Sequence, residues 1–155
     1  MFRLLPVLVA TVLIGCGTAC KCHRQAADVV STAPERVEID GREYSLAASL
    51  WRDFQPIAPP NGQPMAAVLK VSPSDMMPLP TDLVIDHLWV LNGKKQWSAA
   101  AEPPAGQSSV SNLDQTVRGG PKWETGILVD VVVRLRQGKQ TWLLRQAGVK
   151  VKRTD

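Results

Sequence analysis

The sequence predicts an all-β chain, on three observations. Apolar residues alternate at period two through several short segments, the spacing of a half-buried strand. The dipeptides Asp40-Gly41 and Asn92-Gly93 sit between such segments, where Asx-Gly pairs supply the positive φ angles of tight hairpins. Helical periodicity is nearly absent, and 12 prolines and 11 glycines punctuate the chain.

The elements follow in order. Arg36–Ile39 and Glu43–Leu46 flank Asp40-Gly41 as a hairpin. Ala47–Phe54 reads as a helical turn or two, stopped by Pro56. Residues 55–63 hold Pro56, Pro59, Pro60 and Gly62 and read as a loop. Met65–Val71 alternates, with Met65, Ala67, Leu69 and Val71 on one face. Asp82–Leu91 is a long strand that turns at Asn92-Gly93 and returns as Lys95–Ala99. Residues 102–122 read as a long irregular segment that hides at most one strand near 109–118. Ile127–Arg136 alternates most clearly, with Ile127, Val129, Val131, Val133 and Leu135 on one side. The chain turns at 137–139, returns over 140–146, is broken by Gly148, and ends in a short strand over 149–152.

Seven or eight short strands must bury their apolar faces against each other. The expected architecture is an immunoglobulin-like antiparallel β-sandwich over residues 36–155, with a small β-barrel as the alternative. No cysteine follows Cys22, so packing alone must hold this domain.

Composition narrows the class. The chain has 155 residues, 45% hydrophobic and 21% charged, with a formal charge of +4. That profile fits one globular domain, not a disordered chain, a coiled coil or a polytopic membrane protein.

Residues 1–15 form a separate unit. Arg3 precedes an apolar run from Leu4 to Ile14. The run is shorter than the roughly 20 residues needed to cross a bilayer core, so it reads as a signal peptide. Its end, Leu13-Ile14-Gly15-Cys16, resembles the lipobox of bacterial lipoproteins. The resemblance implies cleavage before Cys16, a diacylglycerol thioether on its sulfur and an acyl chain such as palmitate on its amine. Two or three such chains hold a protein on a membrane almost permanently. Gly17, where inner-membrane retention calls for Asp, implies outer-membrane attachment facing the periplasm in a Gram-negative host. Residues 16–35 are then the lipidated terminus and a flexible tether of roughly 25 Å reach, with a short helix over 25–31 as the alternative.

Cys20, Cys22 and His23 are soft-metal donors, and together they raise a second function: periplasmic metal or redox handling. A closed zinc site needs four ligands, and the only other histidine is His87. The plainer reading is a pair of tether thiols.

The chain has five tryptophans, and two of them are binding candidates. Trp89, Trp97 and Trp142 fall in predicted strands and read as packing residues. Trp51 and Trp123 lie beside predicted loops. Gly119-Gly120-Pro121-Lys122-Trp123 is the most distinctive run in the chain. It reads either as a plug for the end of a sheet or as a binding surface. This run, with Val129–Val133 and the hairpin after it, resembles small bacterial lipoproteins with one β-rich domain. No activity or site residue comes with that resemblance.

Catalysis finds little support. A hydrolase would need His87 beside a serine and Asp82 or Asp86, and no Gly-X-Ser-X-Gly elbow exists. Arg134, Arg136, Lys139, Arg145, Lys150, Lys152 and Arg153 gather in the last third of the chain. They suit an anionic envelope polymer or lipid; a chain that leaves the cytoplasm has no expected nucleic-acid partner. The expected protein is a non-enzymatic, lipid-anchored envelope module that binds another envelope protein or an anionic polymer, without a cofactor.

Overall fold

The computed structural model describes residues 29–102 and 111–155. The predicted signal peptide, the expected lipidation residue Cys16 and the candidate ligands Cys20, Cys22 and His23 lie outside the described residues. The domain is all-β. Its strands are β1 (Arg36–Ile39), β2 (Arg42–Asp53), β3 (Met65–Pro73), β4 (Leu83–Asn92), β5 (Lys95–Ala100), β6 (Leu113–Gly120), β7 (Leu128–Gln137) and β8 (Gln140–Thr154). They form one sheet in the order β5-β4-β7-β8-β2-β3-β6, with β1 added to β2.

The sheet curls over a single core. Leu50, Met65, Leu69, Leu83, Leu88, Val131, Leu135 and Leu144 are fully buried in one cluster drawn from both halves. Each such side chain contributes roughly 1.5–3 kcal/mol by leaving water. This is the shared geometry of a sandwich and a small barrel: two facing layers joined along one side.

The join is β8, and it corrects three expectations. First, the pairing is not antiparallel throughout. β8 runs antiparallel to β7 from Gln140 to Lys150, then pairs parallel with β2, Leu50 against Val151 and Asp53 against Thr154. Second, Gly148 does not break the chain. Asp130 stands opposite both Ala147 and Gly148, so the strand carries a bulge and continues. Gly148 takes φ 65° there, and its N–H donates to Asp130 Oδ1 at 3.0 Å. Third, 47–53 is strand and not helical turns. Leu46↔Val71 through Trp51↔Ala66 are paired, so β2 is one twelve-residue strand. The small residues of Ala47-Ala48-Ser49 set no helix when β3 pairs along the stretch and the Gln146 side chain takes the Ala48 N–H at 2.5 Å.

The 102–122 segment contains β6, offset from the expected 109–118. Gly119 and Gly120 belong to the strand. Met65↔Gly120 and Ala67↔Val117 leave Arg118 and Gly119 opposite Ala66 alone, a second bulge, with Gly119 at φ 84°. A third bulge places Asp86 between Ile85↔Leu135 and His87↔Arg134. It switches the inward set of β4 from Leu83 and Ile85 to Leu88 and Val90.

The last part of the expected tether is packed. Val30 and Ala33 bury against Val132 on the outer face of the sheet, beside Trp89, Leu91 and Leu143. Arg145 fastens the segment: its backbone N–H donates to Pro34 O at 2.8 Å, and its guanidinium donates to Ser31 O at 3.0 Å. This covering explains why β7 reads as an almost continuous valine run, since Val132 is buried on the face opposite the core.

Candidate functional site

Two grooves meet the run Gly119–Trp123, and both draw on residues expected to bind. The first, about 260 Å³, is lined by Trp51, Asp53, Gln63, Pro64, Ala66, Arg118 and Gly119. Strand register builds it. Trp51 pairs with Ala66, whose missing bulk leaves the floor open. The bulge at Arg118-Gly119 brings that arginine to the rim. An indole face, a carboxylate, an amide and a guanidinium thus share one shallow cleft.

The second groove, about 620 Å³, runs along β5. It is lined by Lys95, Gln96, Trp97 and Ser98 on one side and by Pro121 and Trp123 on the other. Trp97 and Trp123 are half-buried and pack on the main core. Gly120 makes this possible: a Cβ there would lie 2.9 Å from Trp97 Cζ3 and 3.0 Å from Met65 O. The run therefore joins the two readings given for it. Gly120 and Trp123 seal the sheet end, while Pro121 and one side of Trp123 wall a groove.

Arg52 holds the walls in place. It is 5% exposed, the last inward position of the alternation Tyr44, Leu46, Ala48, Leu50. Its Nε donates to Gln63 O at 3.1 Å, one terminal nitrogen donates to Trp123 O at 2.9 Å and Lys122 O at 3.3 Å, and the other donates to Asn61 O. Its guanidinium also lies 4.8 Å from the centre of the Phe54 ring, a cation–π contact. One side chain thus ties residues 61–63 to residues 122–123. Lys122, expected on a binding surface, instead turns to Asn61 Oδ1 at 2.7 Å.

The catalytic candidates are not assembled. Asp86 accepts from Arg134 at 2.7 and 3.2 Å and from Arg136 at 3.1 Å, and so does not orient His87. Asp82 accepts from Gln137 at 3.1 Å. His87 tilts against Trp89, ring centres 4.3 Å apart. Among the described residues no cluster of His, Cys, Asp or Glu has metal-site geometry. No described helix is long and apolar enough to cross a membrane. The basic ribbon is partly neutralised within the fold. Arg134 and Arg136 pair with Asp86, Arg145 with Asp130 and Glu35, and Arg153 with Asp155.

His87 makes stability depend on pH. Burial first, then the charge of Arg134, push its imidazole below the ordinary 6.5, with Asp86 opposing them. The unfolded chain therefore takes up this proton at a higher pH than the folded chain does. Stability is unaffected well above 6.5 and falls as pH drops from there towards the folded value. Urea midpoints at about pH 7.5 and about pH 5 check this. His87→Gln is expected to remove that part of the loss, and an unchanged pH profile counts against it.

Sequence reasoning missed Arg52, Arg118 and the groove side of Trp97. A continued period-two count through 47–53 would have found Arg52, because it falls on the same side as Leu50. No family model matches the sequence, and no curated protein and no solved structure matches it.

Proposed function

We propose that this chain is a lipid-anchored envelope protein that works by binding, through the two grooves that share Gly119–Trp123. The observation that carries the reading is Arg52: a buried guanidinium joins two loops by four backbone carbonyls, and so keeps tryptophan-walled clefts open and rigid. Preformed clefts lose little entropy on binding. Indole walls supply large contact area, and Lys95 and Arg118 supply positive charge at the rims. These features suit an envelope protein or an anionic envelope polymer. The Leu13-Ile14-Gly15-Cys16 lipobox supplies the attachment, and Gly17 favours the outer membrane facing the periplasm.

A photo-activated crosslinking residue at position 51 or 96, in cells carrying the full chain, tests the reading. Discrete products from both positions are expected, and none from Lys139 at a remote turn. Equal products from all three, or none, would refute a binding role for the grooves. In parallel, Cys16→Ala should abolish acyl mass on the mature chain. A mature wild-type chain without lipid would refute the anchor.

A further inference from the structure

We infer that the free edge of β5 is a docking edge for an extended peptide of alternating apolar and acidic residues, which adds as one more strand. The inference rests on the binding role proposed above and names the partner of its larger groove. Among the described residues, β5 ends the sheet order and pairs only with β4. The turn between these strands has two residues, Gly93 and Lys94, with Asn92 opposite Lys95. In such a hairpin the closing pair exchanges both backbone bonds, and the alternation then continues along the ladder. Lys95, Trp97 and Ala99 therefore face β4 with their backbone groups. Gln96, Ser98 and Ala100 point theirs out of the sheet.

An unpaired row of that kind is usually blunted. Here it lines the larger groove instead, opposite Pro121 and Trp123. β6, at the other end of the sheet, is a poorer edge, because the Gln115 side-chain amide donates to Glu102 O and ties the segment that leaves β5 to it. Main-chain bonds to Gln96, Ser98 and Ala100 demand an extended ligand. A strand there turns alternate side chains towards Trp97 and Trp123, and these positions call for apolar residues. The charge at the mouth comes from Lys94 and Lys95, neither of which takes part in an ion pair among the described residues. That calls for acidic residues in the ligand. The wall of Pro121 and Trp123 confines the groove to a single strand and obstructs a folded domain approaching edge-on.

The test is selection from displayed random peptides about ten residues long, the upper length of ordinary strands, on the purified full chain. Enriched peptides are expected to alternate aliphatic and acidic residues and to protect the Gln96, Ser98 and Ala100 amides from exchange. Ser98→Pro removes one outward N–H and no bond to β4, which an edge strand tolerates. It should weaken the selected peptide at least about tenfold with little change in melting temperature. If that variant unfolds, Lys95→Glu replaces it and should reverse the preference towards basic peptides. No enrichment, equal binding to either variant, or self-association that Ser98→Pro abolishes would overturn the inference. Crosslinks at position 51 that survive Ser98→Pro alongside any of those results would leave the binding role standing and remove only the β5 edge.

Discussion

Arg52→Ala is expected to destabilise the domain by about 3 kcal/mol, a large part of the usual stability of a small domain. The guanidinium is 5% exposed and bonds four carbonyl oxygens, on Asn61, Gln63, Lys122 and Trp123. A hydrogen bond from a charged group contributes roughly 1.5–3 kcal/mol when its partner is left without a replacement. Some of these carbonyls regain water once the loops part, so the total falls well short of four full bonds. Arg52→Met separates stem packing from bonding and is expected to lose most of the same stability. Arg52→Lys keeps the charge but not the fork, and one ammonium cannot span carbonyls on two loops. Urea denaturation reads the loss, and faster amide exchange at residues 61–63 and 122–123 locates it. Normal exchange in both loops with Arg52→Ala would show that the clamp does not hold the grooves.

Leu50→Ala is expected to cost a similar amount, about 3 kcal/mol within the 2–5 kcal/mol range for truncating a buried leucine. Leu50 is fully buried and faces two neighbours: Ala67 in the antiparallel pair with β3, and Val151 in the parallel pair with β8. The alanine at 67 cannot swell to fill the void, and a β-branched valine cannot swing into it. Leu128→Ala is the control. Its side chain is 65% exposed, and its loss should stay within about 0.5 kcal/mol. Comparable denaturation midpoints for the two variants would contradict the core described above.

Much of the fold was readable from local pattern. Asp40-Gly41 was expected to turn a hairpin, and both residues adopt positive φ, 50° and 76°. The second hairpin shifted by one position, since Gly93-Lys94 and not Asn92-Gly93 forms the turn. β7 was read within a residue of its bounds because strict alternation leaves one register. What could not be read is non-local. Whether Gly148 ends a strand or kinks it depends on Asp130, a side chain on a different strand that receives its N–H. Whether β2 accepts a parallel partner depends on Val151, and no feature of residues 50–53 announces that pairing.

The candidate site divides in the same way. Trp51 and Trp123 were legible as unusual residues near loops, and each lines a groove. Their assignment to two different grooves, joined by one arginine, required the register of β2, β3 and β6. Trp97 was legible only as a packing residue. That is half of its role, because its ring packs beside Gly120 and the core and also lines the larger groove.

The double membership of β8 has a consequence for when this chain can fold. β2 is made early, yet four of its residues, Leu50–Asp53, wait for Val151–Thr154 about a hundred residues later. A nascent chain that has not yet made residues 151–154 holds β1, β2 and β3 with one side unfinished, and lacks the parallel pairing that joins the two halves of the sheet. Contacts of such long sequence separation slow folding. The domain therefore closes only once residues 151–154 have joined β2. On the envelope attachment proposed above, late closure keeps the chain threadable during its export.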